Sequence, residues 1–355
     1  MKHFCTMLLL AALVAGMAGC GNGTPGGSGG AKGTVGRLNG GGATFIYPMM
    51  SKWAGEYERA RGMQINYQSI GSGGGIQQMT AKTIDFGCTD APMNDEQLRK
   101  AREVGGEVVH IPLIMGAVVP AYNLEEVKEP LIFSGPILAD IYLAKIKKWN
   151  DPALAKLNPK ASLPDKDIMV VHRSDGSGTT YIFADYLAKV SPEWKSKVGV
   201  ATSLNWPCGS GQKGNEGVAG QVKRSPASIG YIELIYALQN NISFGPVENR
   251  QGAAVKASLQ AVTAAANESL AAIPPDLRYS ITDAPGKDSY PISGTTWAVL
   301  YVNQPADKGK AIVDFLRWAT HEGQQYADAL HYARLPEGLV ERLEKKLDLV
   351  KAGNE

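Results

Sequence analysis

Residues 168–190 read IMVVHRSDGSGTTYIFADYLAKV, and three patterns follow one another in this stretch. It begins with four apolar residues, 168–171, of the kind that form a buried strand. A turn rich in glycine and hydroxyl side chains follows at 175–180, and apolar residues with helical spacing begin at Tyr181. A strand, a tight turn and a helix form the repeating unit of α/β proteins. The stretch therefore predicts an α/β fold.

Strand-like and helical patterns alternate in the same way along the rest of the chain. Further strand-like runs lie at 65–70, 84–88, 108–119, 229–232 and 295–302. Helical spacing begins near Pro48 and recurs at 311–319, and an alanine-rich segment at 252–275 predicts a helix followed by a stop. This alternation predicts α/β layers with mainly parallel strands.

The first 20 residues have the pattern of a secretory signal. Lys2 gives a positive start, residues 7–14 are apolar, and small residues lead to Cys20. The apolar run is too short to cross a bilayer, which takes about 20 apolar residues. Cleavage before Cys20 resembles the bacterial lipoprotein signal, in which the thiol is acylated; ordinary cleavage that releases a soluble product is the alternative. We expect residues 1–19 to be removed and lipid on Cys20 to anchor the chain outside the cytoplasm.

The segment after Cys20 predicts a tether. Residues 21–36 include eight glycines, a composition that buries no core and behaves as a flexible linker. We therefore assign 20–36 to a glycine-rich connection between the anchor and the folded part of the chain.

Composition limits the classes of protein to consider. The 355 residues carry a formal net charge of +2 and are 20% charged, which suits a globular protein of two domains. The sequence has no long run of Lys or Arg, so the basic face of a nucleic-acid-binding protein is not expected.

Cysteine usage leaves one pairing open. After removal of 1–19 the cysteines are Cys20, Cys88 and Cys208. If Cys20 carries lipid, Cys88 and Cys208 are a candidate disulfide in an oxidising compartment, although the sequence does not fix their geometry. The sequence has no Cys-x-x-Cys motif, so neither a structural metal site nor a cofactor is expected.

Three glycine-rich loops share one local design. Each carries a hydroxyl side chain and leads into a predicted helix; they lie at 40–45, 71–75 and 175–180. Glycine lets successive backbone N–H groups point the same way, and a helix N-terminus favours negative charge. A single loop of this kind is usually an ordinary helix cap. Three of them predict a site for a small anion with many acceptor atoms.

Two charged residues lie beside these loops. Arg173 ends the strand before the third loop, where its guanidinium could bind an oxyanion bidentately with Asp175 holding it in position. A surface ion pair between Arg173 and Asp175 is the alternative. Asp90 follows the strand at 84–88, and its local sequence also suits a turn before Pro92.

Taken in order along the chain, these motifs resemble the periplasmic phosphate-binding proteins of ABC transporters. The resemblance runs from about Leu38 to near the C-terminus, through Gly42-Ala43-Thr44-Phe45, Gly71-Ser72-Gly73-Gly74, Asp85-Phe86-Gly87, Asp90-Ala91-Pro92, Asp140-Ile141-Tyr142, Ile146-Lys147-Lys148-Trp149, Arg173-Ser174-Asp175-Gly176-Ser177-Gly178-Thr179 and Lys213-Gly214-Asn215. It implies a type II periplasmic-binding-protein fold, with two α/β lobes joined by a two-stranded hinge and a ligand cleft between them. The first lobe would comprise 37–119 and 291–355, and the second 120–290.

The resemblance also implies the ligand and its contacts. Inorganic phosphate would be bound by Thr44, Phe45 (backbone N–H), Ser72, Asp90, Arg173, Ser177, Gly178 (backbone N–H) and Thr179. Asp175 would support the site by holding Arg173 in position. A carboxylate at Asp90 could accept the proton that phosphate keeps near neutral pH and that sulfate lacks. The chain would be a monomer that delivers phosphate to the permease subunits of an ABC importer. A binding protein for another oxyanion of the sulfate class is the main alternative.

A phosphatase is a further alternative that the motifs do not favour. Neither Ser72 nor Ser177 lies in a Gly-x-Ser-x-Gly elbow, and the sequence contains no His-Glu-x-x-His pair. The sequence therefore predicts a binding protein rather than an enzyme.

Overall fold

A computed structural model describes residues 36–353, and most of the strands in this part of the chain join one mixed sheet. The strands are β1 (Arg37–Gly42), β2 (Gln64–Ser69), β3 (Phe86–Thr89), β4 (Val108–Asn123), β5 (Met169–Arg173), β6 (Ser210–Gln212), β7 (Ser228–Glu233), β8 (Ser243–Phe244), β9 (Val247–Glu248), β10 (Ala254–Val255), β11 (Ser293–Tyr301), β12 (Asn303–Pro305) and β13 (Lys351–Gly353).

Helices connect most of these strands. They are α1 (Tyr47–Arg61), α2 (Ser72–Thr80), α3 (Asp95–Gly105), α4 (Gly135–Tyr142), α5 (Pro152–Leu157), α6 (Gly178–Val190), α7 (Pro192–Lys197), α8 (Gly214–Arg224), α9 (Leu234–Asn240), α10 (Leu259–Ser269), α11 (Ala306–Thr320) and α12 (Glu337–Leu347). Short 3₁₀ turns lie at Leu270–Ala272, Glu322–Tyr326 and Asp328–Leu330. None of the described helices combines the length and the apolar character that crossing a bilayer requires.

The main sheet has parallel strands at its two ends and antiparallel strands in its centre. Its order is β2-β1-β3-β11-β4-β7-β5-β6, with β8 beside β4. The groups β2-β1-β3 and β7-β5-β6 are parallel, whereas β11 and β4 run antiparallel to each of their neighbours in this order. The prediction of mainly parallel strands is therefore right at the ends and wrong in the centre, because hydrophobic periodicity does not record strand direction.

Strand β4 divides the sheet into two parts. Its residues 108–117 pair with β11, and residues 118–123 pair with β7. We call β2, β1, β3, β11 and the first part of β4 the first half-sheet, and the remainder of β4 with β7, β5 and β6 the second half-sheet. Next to this point, Val118 N donates to Ile292 O (2.9 Å), just before β11 begins. The lobe boundaries predicted at 119/120 and 290/291 stay a prediction.

Helix α1 shows how the sequence fixes a boundary and a buried face. Pro48 lies in its first turn, where no backbone donor is needed, and Gly62 ends it with a φ of 71°. Its apolar face is buried, and Trp53 Nε1 donates to Gly323 O (2.8 Å), so the indole is both packed and hydrogen-bonded.

The first glycine-rich loop is partly a strand. Gly40, Gly41 and Gly42 belong to β1 rather than to a loop. A Cβ at Gly42 would lie 2.0 Å from Cys88 O, and Gly42 has a φ of 137°. These glycines therefore let β1 lie against β3, and the turn into α1 starts only at Ala43, whose N–H donates to Cys88 O.

The candidate disulfide is a wrong prediction. Cys88, buried in β3, and Cys208, half-buried just before β6, are both free thiols. Their strands belong to different half-sheets, and Cys208 Sγ instead donates to the carbonyl groups of Ile141 and Tyr142 at 3.7 and 3.6 Å. The predicted signal, the lipidated Cys20 and all of the tether except its last residue lie outside the described residues.

Candidate anion-binding site

Arg173 is a buried cation at the end of β5. Its side chain is 1% exposed, and it binds Asp175 through Nε–Oδ1 (2.7 Å) and Nη2–Oδ2 (2.5 Å). Burial by itself raises the pKa of Asp175, but the hydrogen bonds and positive charge of Arg173 outweigh it and lower that pKa below its usual value. The surface ion pair considered above is therefore excluded, because the guanidinium faces the interior.

The remaining nitrogen of Arg173 reaches two threonines. Nη1 donates to Thr44 Oγ1 (3.2 Å) and to Thr179 Oγ1 (3.4 Å), and both threonines are buried. Thr44 follows β1 in the first half-sheet, whereas Thr179 lies in the first turn of α6. The guanidinium therefore links the ends of two segments that are far apart in sequence.

Ser72 makes a second link across the half-sheets, to Gly178, and also contacts Asp90 on its own side. Ser72, the first residue of α2, accepts from Asp90 N (3.1 Å) and from Gly178 N (3.1 Å) through its Oγ. The same hydroxyl donates to Asp90 Oδ2 (3.4 Å), and Thr296 Oγ1 donates to Oδ1 (2.6 Å). All of these side chains are buried, so this cluster is shielded from solvent.

The surroundings of Asp90 change its acidity. Burial raises its pKa from 3.8 to about 7, although the hydroxyls of Thr296 and Ser72 and the charge of Arg173 favour the ionised form. Asp90 therefore changes protonation state near neutral pH. The interpretation of Asp90 as a simple turn residue is incomplete.

Two glycine positions allow the loops to touch. Gly73 N donates to Gly176 O (2.8 Å), which joins the second loop directly to the third. A Cβ at Gly71, which has a φ of 83°, would lie 2.5 Å from Asp175 Oδ2, and a Cβ at Gly178 would lie 2.5 Å from Asp90 Cβ. Any side chain at Gly178 would therefore separate α6 from Asp90.

The two remaining predicted residues lie at the starts of helices. Ser177 caps α6: its Oγ accepts from Thr180 N (3.0 Å). Phe45 follows Thr44, its ring is buried, and its carbonyl accepts from Tyr332 Oη (2.6 Å). The structure thus brings all eight predicted contact residues to one place, and their contact with phosphate stays a prediction.

Sequence reasoning missed two polar residues of this cluster. Thr296 lies in β11, 206 positions from the Asp90 to which it donates, and no local pattern marks it. Asn215 is fully buried and donates to both Thr44 and Thr179. It belongs to the Lys213-Gly214-Asn215 motif, whose local sequence does not indicate a role for the asparagine. Among residues 36–353 no three metal-ligating side chains are grouped as a metal site.

Comparison with known proteins identifies the family. The PBP superfamily domain model matches residues 27–322. The chain is 47% identical over 312 residues to phosphate-binding protein PstS of Xylella fastidiosa (87% of this chain and 84% of that protein) and 45% identical over 309 residues to that of Pasteurella multocida (86% and 88%). The chain belongs to the PstS family of phosphate-binding proteins. PstS of Methanocaldococcus jannaschii is also similar, with 37% identity over 318 residues (83% of this chain and 82% of that protein).

Solved structures support a periplasmic-binding-protein fold for this PstS-family member. One is a high affinity periplasmic phosphate-binding protein bound with phosphate at pH 8.5 (TM-score 0.70, 18% identity, covering 87% of this chain and 92% of that one). Another is the phosphate binding protein of Stenotrophomonas maltophilia (TM-score 0.66, 19% identity, 87% and 93%). The predicted fold class is thereby confirmed.

Proposed function

We propose that the chain binds inorganic phosphate in this site and delivers it to an ABC-type importer. The observation that carries the proposal is a buried guanidinium and a buried carboxyl group, Arg173 and Asp90, in one cluster of hydroxyls. Arg173 donates to the hydroxyls of Thr44 and Thr179. Ser72 Oγ lies between Asp90 and the N–H of Gly178, the neighbour of Thr179 in the chain. The relatives in Xylella fastidiosa and Pasteurella multocida are named phosphate-binding proteins, which agrees with this chemistry.

The hydrogen-bonding groups suit a protonated tetrahedral anion. The guanidinium, the hydroxyls of Thr44, Ser72, Ser177 and Thr179, and the N–H groups of Phe45 and Gly178 are the proposed donors. On binding, the Gly178 N–H would exchange Ser72 Oγ for a ligand oxygen, and the Ser72 hydroxyl would exchange Asp90 for one. Asp90, when ionised, is an acceptor. HPO₄²⁻ and H₂PO₄⁻ offer several acceptor oxygens and at least one proton, which matches this set. Sulfate has no proton for Asp90, so the oxyanion alternative is disfavoured.

Binding would also stabilise the arrangement of the two half-sheets. Thr44, Ser72 and Asp90 belong to the first half-sheet side, and Arg173, Ser177, Gly178 and Thr179 to the second. A ligand held by both sides favours the closed state by its difference in affinity for the closed and open states. Permease subunits could then recognise the closed form.

The cellular setting is part of the proposal. The signal pattern and Cys20 support a chain held outside the cytoplasmic membrane by a lipid anchor, where we expect it to act as a monomer. Mass analysis of the protein from a membrane fraction tests this: diacylglycerol on Cys20 is expected, and a chain that begins beyond Cys20 without lipid would contradict the anchor.

Phosphate analysis of the purified chain tests the ligand. Denatured protein should release about one phosphate per chain, and stripped protein should bind inorganic phosphate in a calorimetric titration far more tightly than sulfate at pH 8. Absence of released phosphate together with absence of binding by the stripped, folded protein would overturn the assignment. Hydrolysis of phosphate esters with excess Mg²⁺ or Zn²⁺ would show instead that the site is catalytic.

A further inference from the structure

We propose that Asn215 is a positioning residue that makes the hydroxyls of Thr44 and Thr179 obligate hydrogen-bond donors toward the bound anion. The inference rests on the proposed function, because it concerns how the same site distinguishes acceptor oxygens from donor groups.

The contacts of Asn215 converge on two hydroxyl oxygens. Asn215, the second residue of α8, is 0% exposed. Its Nδ2 donates to Thr44 Oγ1 (2.8 Å) and to Thr179 Oγ1 (3.0 Å), and its backbone N–H also points to Thr44 Oγ1 (3.3 Å). The bond to Thr44 joins the second half-sheet side to the first.

The orientation of the Asn215 amide is fixed from its other end. Oδ1 accepts from the backbone N–H of Glu233 (2.9 Å), at the end of β7. A backbone N–H can only donate, so the atom facing it must be the amide oxygen. The NH₂ group therefore faces the two threonines, and both of its hydrogens are used.

These donors fill the acceptor positions of the threonine hydroxyls. A hydroxyl has two lone pairs and one hydrogen. Thr44 Oγ1 lies within reach of three donors, two from Asn215 and one from Arg173, and Thr179 Oγ1 receives one from each of them. Each hydroxyl can then offer a ligand only its hydrogen.

The restriction of the Thr44 and Thr179 hydroxyls to hydrogen-bond donation affects which ligands the site selects. A freely rotating threonine accepts from or donates to a ligand equally well, and so tolerates sugars, amines or a differently protonated anion. With both hydroxyls restricted to donation, the ligand must present acceptor oxygens to them. Any proton that the ligand carries is directed instead to Asp90.

A double-mutant cycle tests the inference. Phosphate Kd would be measured for the wild type, Asn215→Ala, Thr44→Val and the double variant. We expect Asn215→Ala to weaken binding about 10- to 100-fold, the effect of losing oriented hydrogen bonds to a charged ligand. The double variant should bind phosphate only slightly less tightly than whichever single variant has the higher Kd, because Asn215 acts through the Thr44 hydroxyl. Multiplicative losses in the double variant would overturn the inference.

Asn158→Ala is the matched control for a purely structural effect. Asn158 is also buried and fully hydrogen-bonded, to Ile132 and Leu154, but it lies outside the site. We expect its replacement to lower the free energy of unfolding and leave phosphate Kd unchanged. An equal loss of affinity in Asn158→Ala and Asn215→Ala would mean that the effect is structural and would overturn the proposed role.

Asn215→Asp provides a second variant if the alanine variant does not fold. It replaces the NH₂ donor with an acceptor that draws the threonine hydrogens away from the ligand, and a loss of more than about 100-fold is expected. Relative to the wild type at each pH, part of that loss should recover as the pH falls and the new carboxyl is protonated. Wild-type affinity in Asn215→Asp would overturn the inference, whereas a wild type that binds no phosphate would overturn the proposed function instead.

Discussion

Asp90 lies in a short segment, 88–92, that by itself suits an ordinary turn. In the folded protein its carboxyl group is buried, is contacted by Thr296 and Ser72, and has a pKa of about 7. The carboxyl group is therefore a donor below this pH and an acceptor above it. Selectivity among oxyanions should accordingly depend on pH.

Sulfate titrations at several pH values would test this dependence. Below pH 7 neutral Asp90 can donate to sulfate, and above pH 7 the carboxylate repels it, so we expect wild-type sulfate affinity to fall about tenfold per pH unit above 7. Asp90→Asn should bind sulfate with little pH dependence. The exposed control Asp165→Asn should behave like the wild type. A flat sulfate profile in the wild type would rule out Asp90 as the selective group.

Glu233 is a second buried acid, placed where β7 pairs with the second part of β4. Its Oε2 accepts from Ile235 N (2.8 Å), and its Oε1 has no hydrogen-bond partner among the described residues. Burial raises the pKa of Glu233 well above the usual 4.5, and the negative charge of Asp90 raises it further. The hydrogen bonds from Ile235 and Tyr332 lower this pKa but do not outweigh burial. The folded protein therefore keeps the proton on Glu233 to a higher pH than the unfolded chain does.

The raised pKa predicts a pH-dependent difference between the wild type and Glu233→Gln. Because the folded pKa exceeds the unfolded one, the stabilising contribution is fully present below about pH 4.5 and is lost as the pH rises toward the folded pKa. Between the unfolded and folded pKa values of Glu233, the free energy of unfolding of Glu233→Gln should therefore rise relative to that of the wild type by up to about 1.4 kcal/mol per pH unit. Urea unfolding at pH 4 to 7 measures it, with exposed Glu341→Gln as control. Parallel stability curves for wild type and Glu233→Gln would contradict it.

At the scale of the elements, the start of α6 and the start of α2 meet with almost no space between them. Ser72 Oγ accepts the N–H of Gly178, and Gly73 donates to Gly176. These contacts require glycine because a Cβ at Gly178 would lie 2.4 Å from Ser72 Oγ. The glycine-rich loops thus bring the two helix N-termini together in addition to supplying backbone donors.

Gly178→Ala tests the close approach of these helices. The added methyl should hold α6 away from Asp90 and weaken phosphate binding about 100-fold, a change that calorimetry would detect. Gly55→Ala is the matched control, because a Cβ at Gly55 in α1 meets nothing within 4 Å. That variant should keep the phosphate Kd and gain about 0.5–1 kcal/mol in stability. Unchanged Kd in Gly178→Ala would show that α6 and α2 need not touch.

At the scale of the whole molecule, the site lies between two half-sheets that share only one long strand, β4. Strand β11 begins beside the point where β4 changes partners. The two chain segments that connect the half-sheets, one within β4 and one just before β11, therefore lie next to each other. A ligand held from both sides should therefore affect the stability of the entire fold.

Thermal and urea unfolding with and without phosphate would test this coupling. At a free phosphate concentration of about 1,000 times Kd the free energy of unfolding should rise by about 4 kcal/mol. The same concentration should stabilise Gly178→Ala by less, because its Kd is higher. A stabilisation of the variant equal to that of the wild type would contradict the weaker phosphate binding expected of Gly178→Ala.

Local patterns in the sequence were sufficient for the type and order of the main elements. Continuous or alternating apolar residues located β2, β3, β4, β5, β7 and β11, since a strand buried on both faces or on one face leaves these patterns in its segment. The glycine-rich loops and Arg173 could be recognised because backbone turns and anion binding require particular residue types at neighbouring positions.

Only the tertiary structure decided the strand directions in the centre of the sheet, the free state of Cys88 and the partners of Asp90. The physical reason is that these features depend on which distant segments become neighbours. Thr296 meets Asp90, and Asn215 meets Thr44, through the order of the strands and not through any local pattern. The sequence by itself determined the local chemistry of the site, and the arrangement of β4 and β11 determined which of its residues act together.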